Sequence, residues 1–167
     1  MNSYGLIDLH CDTLAEYWKY AHTGNPDTLD DPGRVLSLSN MPKDVHWAQF
    51  YAVFIPDEER GQAAIDCFEK NRANFYRQME KFGDRVAPCR NADDMEKAWA
   101  AGKTAAFLTI ENGSALAGDL SRVHTLAEQG VRAITLTWNG ENELGSGHTT
   151  AVSYTHLRAH ETGAYLV

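Results

Sequence analysis

Three runs of the chain are apolar at almost every position rather than at every second one: Trp47–Ile55 (WAQFYAVFI), Ala105–Ile110 (AAFLTI) and Val131–Thr137 (VRAITLT). A strand with one wet face alternates apolar and polar side chains. A run without alternation belongs in a sheet covered on both faces, which is the environment of parallel strands wrapped by helices. Leu6–Leu9 is a shorter strand of the same kind.

The segments between these runs carry helical signals. From Asp57 to Phe82, Ala64, Phe68, Phe75, Met79 and Phe82 form one apolar stripe at helical spacing, with Gly83 just past its end. Asn91 suits the N-cap of a second helix running to Ala101 and closed by Gly102. Asp119 suits the cap of a third, with Leu120, Val123, Leu126 and Ala127 turned inward and Gly130 as its stop. Leu14–Ala21 is compatible with a helix, and residues 23–44, rich in Gly, Asn, Asp, Pro and Ser, read as an irregular excursion. Strand–helix alternation predicts a parallel α/β fold whose functional residues follow the strands.

Composition narrows the partners. Hydrophobic residues make up 43% of 167, enough for a packed core. The net charge of -8 with no basic run argues against nucleic acid, whose phosphates need clustered Lys and Arg. No apolar run approaches the roughly 20 residues that span a bilayer. The N-terminus lacks a basic-then-apolar leader, so a cytoplasmic location is expected. Cys11, Cys67 and Cys89 are odd in number and widely spaced, which suits reduced thiols better than a disulfide framework.

The chemistry-bearing residues cluster after strands. His10 and Asp12 stand two apart at a strand end, where alternation sends both side chains to one face. An imidazole nitrogen and a carboxylate oxygen together suit a divalent metal such as zinc. Alone, H-x-D is a weak motif that fits a strand-end His and Asp hydrogen-bonded in a turn better than a metal pair. Glu111, directly after an apolar strand, is a third candidate ligand; its alternative is an acid at a helix N-terminus. Cys11, between the first two, is expected to face the other way and pack.

Four ordered segments, Leu6–Leu14 (LIDLHCDTL), Ala48–Pro56 (AQFYAVFIP), Phe107–Leu116 (FLTIENGSAL) and Gly130–Gly145 (GVRAITLTWNGENELG), resemble the membrane (renal-type) dipeptidase family, peptidase family M19. The resemblance implies the N-terminal half of a (β/α)8 TIM barrel of the metallo-dependent, amidohydrolase-like type. It implies a zinc dipeptidase that cleaves dipeptides with metal-activated hydroxide. His10 and Asp12 would then hold the first zinc, and Glu111 would bridge two ions. The second zinc's histidines and a proton-handling aspartate have no counterpart before Thr150; His124 falls in a helix and His148 in a loop. Some family members carry a substrate-contacting histidine where this chain has Trp138, so Trp138 is a candidate substrate contact. Small dipeptides are the implied partners, and a homodimer is allowed for the full-length protein. The alternatives are another amidohydrolase-type metal hydrolase, which usually begins with H-x-H, and a non-catalytic truncated fragment.

Residues 152–167 (VSYTHLRAHETGAYLV) leave the strand–helix pattern and resemble the in-frame translation of a transposase-type sequencing adapter. That reading divides the chain into residues 1–151, barrel sequence, and 152–167, a non-native tail. It accounts for the whole segment, whereas a His156/His160 metal pair would account for two residues. Since a barrel of this kind takes roughly 250 residues, the 167-residue chain itself is expected to be inactive and poorly soluble.

Overall fold

A computed structural model describes residues 5–14 and 28–150. The expected helix after Leu14, the start of the irregular excursion and the 152–167 tail lie outside the described residues. Five parallel strands form one sheet: β1 (Gly5–Cys11), β2 (His46–Phe54), β3 (Val86–Pro88), β4 (Thr104–Glu111) and β5 (Val131–Thr135). Helices α1 (Gln62–Lys81), α2 (Ala92–Ala100) and α3 (Arg122–Glu128) connect them. The long strands β1, β2, β4 and β5 each pair with the next in chain order. That succession is how a barrel sheet grows. The three-residue β3 shares β4's far edge with β5, pairing with its first residues while β5 pairs with its last. The architecture is thus a partial, TIM-barrel-like α/β sheet.

β2 and β4 behave as their unbroken apolar runs require, because both faces are covered. Tyr51, Val53, Ile55, Ala106, Leu108 and Ile110 face the main core, where α1 contributes Ala64, Phe68, Phe75 and Met79. Ala48, Phe50, Ala105 and Phe107 point the other way and meet Met95, Ala98 and Trp99 of α2. Phe50 and Phe107 stack with ring centroids 4.7 Å apart.

The helix boundaries differ from expectation in instructive ways. α1 begins at Gln62 rather than Asp57. Asp57 is held outside the helix because its carboxylate accepts from Gly140 N at 2.7 Å and from Asn112 Nδ2 at 3.3 Å. Asn91 does cap α2, accepting from Asp94 N at 2.8 Å, and Gly102 follows with φ +69. Asp119 does not cap α3; its Oδ1 accepts from Ser121 N and Oγ, making a turn that delays the helix to Arg122. The shortened α3 buries Leu126 but leaves Leu120 and Val123 exposed, contrary to the inward stripe expected. β3 was not expected at all: Val-Ala-Pro is too short to give a period. Among the described residues no helix is long and apolar enough to cross a membrane.

Candidate metal centre

A one-residue irregularity in β1 decides where the candidate ligands point. Asp8 lies in register with Gln49, but Cys11 lies in register with Tyr51, so three steps on β1 match two on β2. Tyr51 faces the α1 side of the sheet, and Gln49, two residues before it on the strand, shares that side. Had strict alternation continued from Asp8, His10 and Asp12 would have stayed on that side. The bulge hands the position to Cys11, which is buried with Tyr51 in the main core, and turns His10 and Asp12 to the opposite face. Bulges re-aim side chains in this way. The Asp8 carboxylate accepts from His10 N at 3.2 Å within the irregular segment.

Glu111, the last residue of β4, reaches the same face by simple alternation, since Ala106, Leu108 and Ile110 take the other. The three meet at the C-terminal end of the sheet. His10 Nε2 lies 3.3 Å from Asp12 Oδ1 and 3.5 Å from Glu111 Oε2. One donor atom from each falls within 4.8 Å of the others. The donor set, one imidazole nitrogen and two carboxylate oxygens, fits zinc. Its electrostatics fit a cation too. Glu111 is only 18% exposed at its side chain. Burial raises its pKa first, His10 opposes that, and Asp12 adds to it by like-charge repulsion. Two carboxylates sharing a partly dry corner are relieved by positive charge.

Trp138, the candidate substrate contact, stands edge-on to Phe54 with ring centroids 4.8 Å apart. Phe54 is the register partner of Glu111. The indole is therefore a neighbour of the ligand cluster but not a member of it. His124 lies on α3 and His148 in the loop after β5, and neither joins a metal-competent cluster among the described residues. His46 opens β2 and sits edge-on to Trp99 at 5.5 Å.

Sequence reasoning missed the polar groups behind the ligands. Asn112 is fully buried, with φ 77 and ψ 104. Asn142, Ser114 and Asp57 gather round it. The available signal was an Asn directly after a buried strand, since Asn tolerates positive φ better than other side chains. Close approach requires glycine at positions 113 and 140. A Cβ on Gly113 would lie 2.5 Å from Leu144 Cδ1, and one on Gly140 would lie 2.8 Å from Asp57 Cγ.

The family model for membrane dipeptidase, peptidase family M19, matches residues 1–163. The chain belongs to that family. Among solved structures it is similar to the metallopeptidase dipeptidase AC of family M19, with TM-score 0.74 and 19% identity over 87% of this chain and 46% of that one. A Rhodobacter sphaeroides metallopeptidase, liganded with a phosphinate mimic of the dipeptide L-Ala-D-Ala, gives 0.74 and 18% over 87% of this chain and 49% of that one. A Pseudomonas aeruginosa amidohydrolase gives 0.57 and 22% over 68% of this chain and 33% of that one. At these identities the structural matches speak for the shared fold. The M19 chain spans about half the length of the first two solved relatives.

Proposed function

We propose that this chain carries the first-metal side of a binuclear zinc centre in a dipeptidase. The supporting observation is the convergence of His10, Asp12 and Glu111, from two non-adjacent strands, at the sheet end where barrel enzymes place their chemistry. His10 and Asp12 would hold one zinc, and Glu111 would share its carboxylate with a second. When bound, zinc acts as a Lewis acid on a carbonyl and lowers the pKa of water.

The chain's own residues do the positioning. The β1 bulge aims His10 and Asp12, and burial keeps Glu111's carboxylate in a low-dielectric setting where its attraction to a cation is strong. Phe54 and Trp138 present an aromatic wall beside Glu111, which supports a role for Trp138 in contacting the dipeptide. Ligands for a second ion and a proton-handling aspartate have no assigned counterpart among the described residues. The chain by itself is accordingly expected to bind one metal and release no amino acids from dipeptides.

The test has two parts. Zinc titration of the chain should give one site, weakened in His10→Ala and Glu111→Gln by more than the roughly 10–100-fold typical of outer-shell changes. Extended to the length of its solved relatives, the protein should hydrolyse a panel of L,L- and L,D-dipeptides and lose that activity in both variants. Full activity in both would overturn the assignment.

A further inference from the structure

Glu111 is the one candidate ligand whose strand ends at it, so whatever directs the next residue also directs its carboxylate. The chain turns there through Asn112 at φ 77, a strained conformation for a non-glycine residue that persists only where its surroundings enforce it. The surroundings do so. Asn112 Nδ2 donates to Ile55 O at 2.9 Å and to Asp57 Oδ1 at 3.3 Å, both in the loop after β2. Its Oδ1 accepts from Ser114 N at 3.3 Å, Ser114 Oγ at 2.8 Å and Asn142 Nδ2 at 2.8 Å. Only this orientation of the amide matches donors to acceptors.

The same contacts reach the loop after β5. Asn142 Nδ2 also donates to Leu136 O at 2.7 Å, and its Oδ1 accepts from Leu144 N and Gly145 N. Gly113 N donates to Leu136 O at 3.2 Å, Gly140 N donates to Asp57, and Arg60 Nη1 donates to Ser114 Oγ at 2.8 Å. Glu111 O, for its part, accepts from Ile55 N at 3.0 Å. One buried side-chain amide therefore joins the loops that follow β2, β4 and β5, and it sits next to the ligand.

We propose that Asn112 is a positioning residue: by locking these three loops together it fixes the Glu111 carboxylate where it can share a metal with His10 and Asp12. The proposal rests on the metal-site reading above, and it adds a claim of its own, that the three loops open as a unit.

Both claims can be measured on the chain as it stands. Asn112→Gly permits the same backbone conformation and removes the side chain with its amide. Cobalt(II) is expected to bind this variant about 10-fold or more weakly, with an altered visible d–d spectrum. In the metal-free protein, hydrogen exchange followed by mass spectrometry should speed up together in residues 55–60, 112–117 and 136–145 while α1 stays protected. Parent-like affinity and spectrum would overturn the positioning role, and three segments responding independently would overturn the lock. If Asn112→Gly does not fold, Ser114→Ala removes the hydroxyl bond to Asn112 Oδ1; a folded Ser114→Ala with unchanged cobalt affinity and unchanged exchange would also overturn the proposal. A parent chain that takes up no cobalt overturns the metal-site reading instead, and the lock is then decided by exchange alone.

Discussion

Cys67 lies on the buried side of α1, and its thiol is pushed up to about 11, first by burial and then by the nearby Glu59. A thiol that stays protonated is a poor nucleophile. Cys11 and Cys89 are buried as well. Ellman's reagent at pH 8 is therefore expected to find no fast-reacting thiol in the folded chain and all three after unfolding. The sign for stability follows from the direction of the shift. The unfolded Cys67 thiol ionises near its ordinary 9.0 while the folded one holds its proton to about 11. Below 9 the group has no pH effect; between 9 and 11 stability falls as pH rises. Replacing Cys67 with Ala should flatten that part of a stability–pH curve. At this scale the sequence was partly legible. The i,i+2 spacing of His10 and Asp12 put them on a common face, but which face depended on a bulge that no local signal announces.

Among the elements, α1 carries the largest share of the core. Phe68 and Phe75 are fully buried under the sheet, and Phe75 meets Tyr76 edge-on at 5.1 Å. Phe75→Ala should cost about 3–5 kcal/mol. A denaturant titration would read this as a lower midpoint with an unchanged slope; a loss below about 1 kcal/mol would mean the site collapses onto the void. The apolar stripe of this helix was readable because side chains at helical spacing must share one face. Its start was not, because Asp57 is withheld by Gly140 and Asn112, a contact that spans 83 residues in the case of Gly140. α3 shows the same limit from the other side. Its pattern promised Leu120 and Val123 to a core that, among the described residues, does not reach them.

For the molecule as a whole, β1 pairs with β2 on one edge and has no partner on the other among the described residues. Leu6, Ile7 and Leu9 are exposed there, Leu9 by 68%, and Leu136 is exposed beyond β5. An open edge with apolar side chains recruits other strands. Leu9→Lys is expected to raise the monomer fraction in size-exclusion chromatography with light scattering, and an unchanged oligomer distribution would show that association, where it occurs, uses another surface. What the sequence determined by itself was local in origin: parallel strands, from apolar runs that leave no wet face, and helices, from their stripes and caps. It also placed three ligand-type side chains at strand ends. Tertiary structure alone decided that these three converge, because β1 and β4 are separated by β2 and meet at His10 and Glu111 only through register and one extra residue. It alone decided, too, that a buried asparagine ties three loops behind them, since hydrogen bonds between distant segments leave no period in the chain.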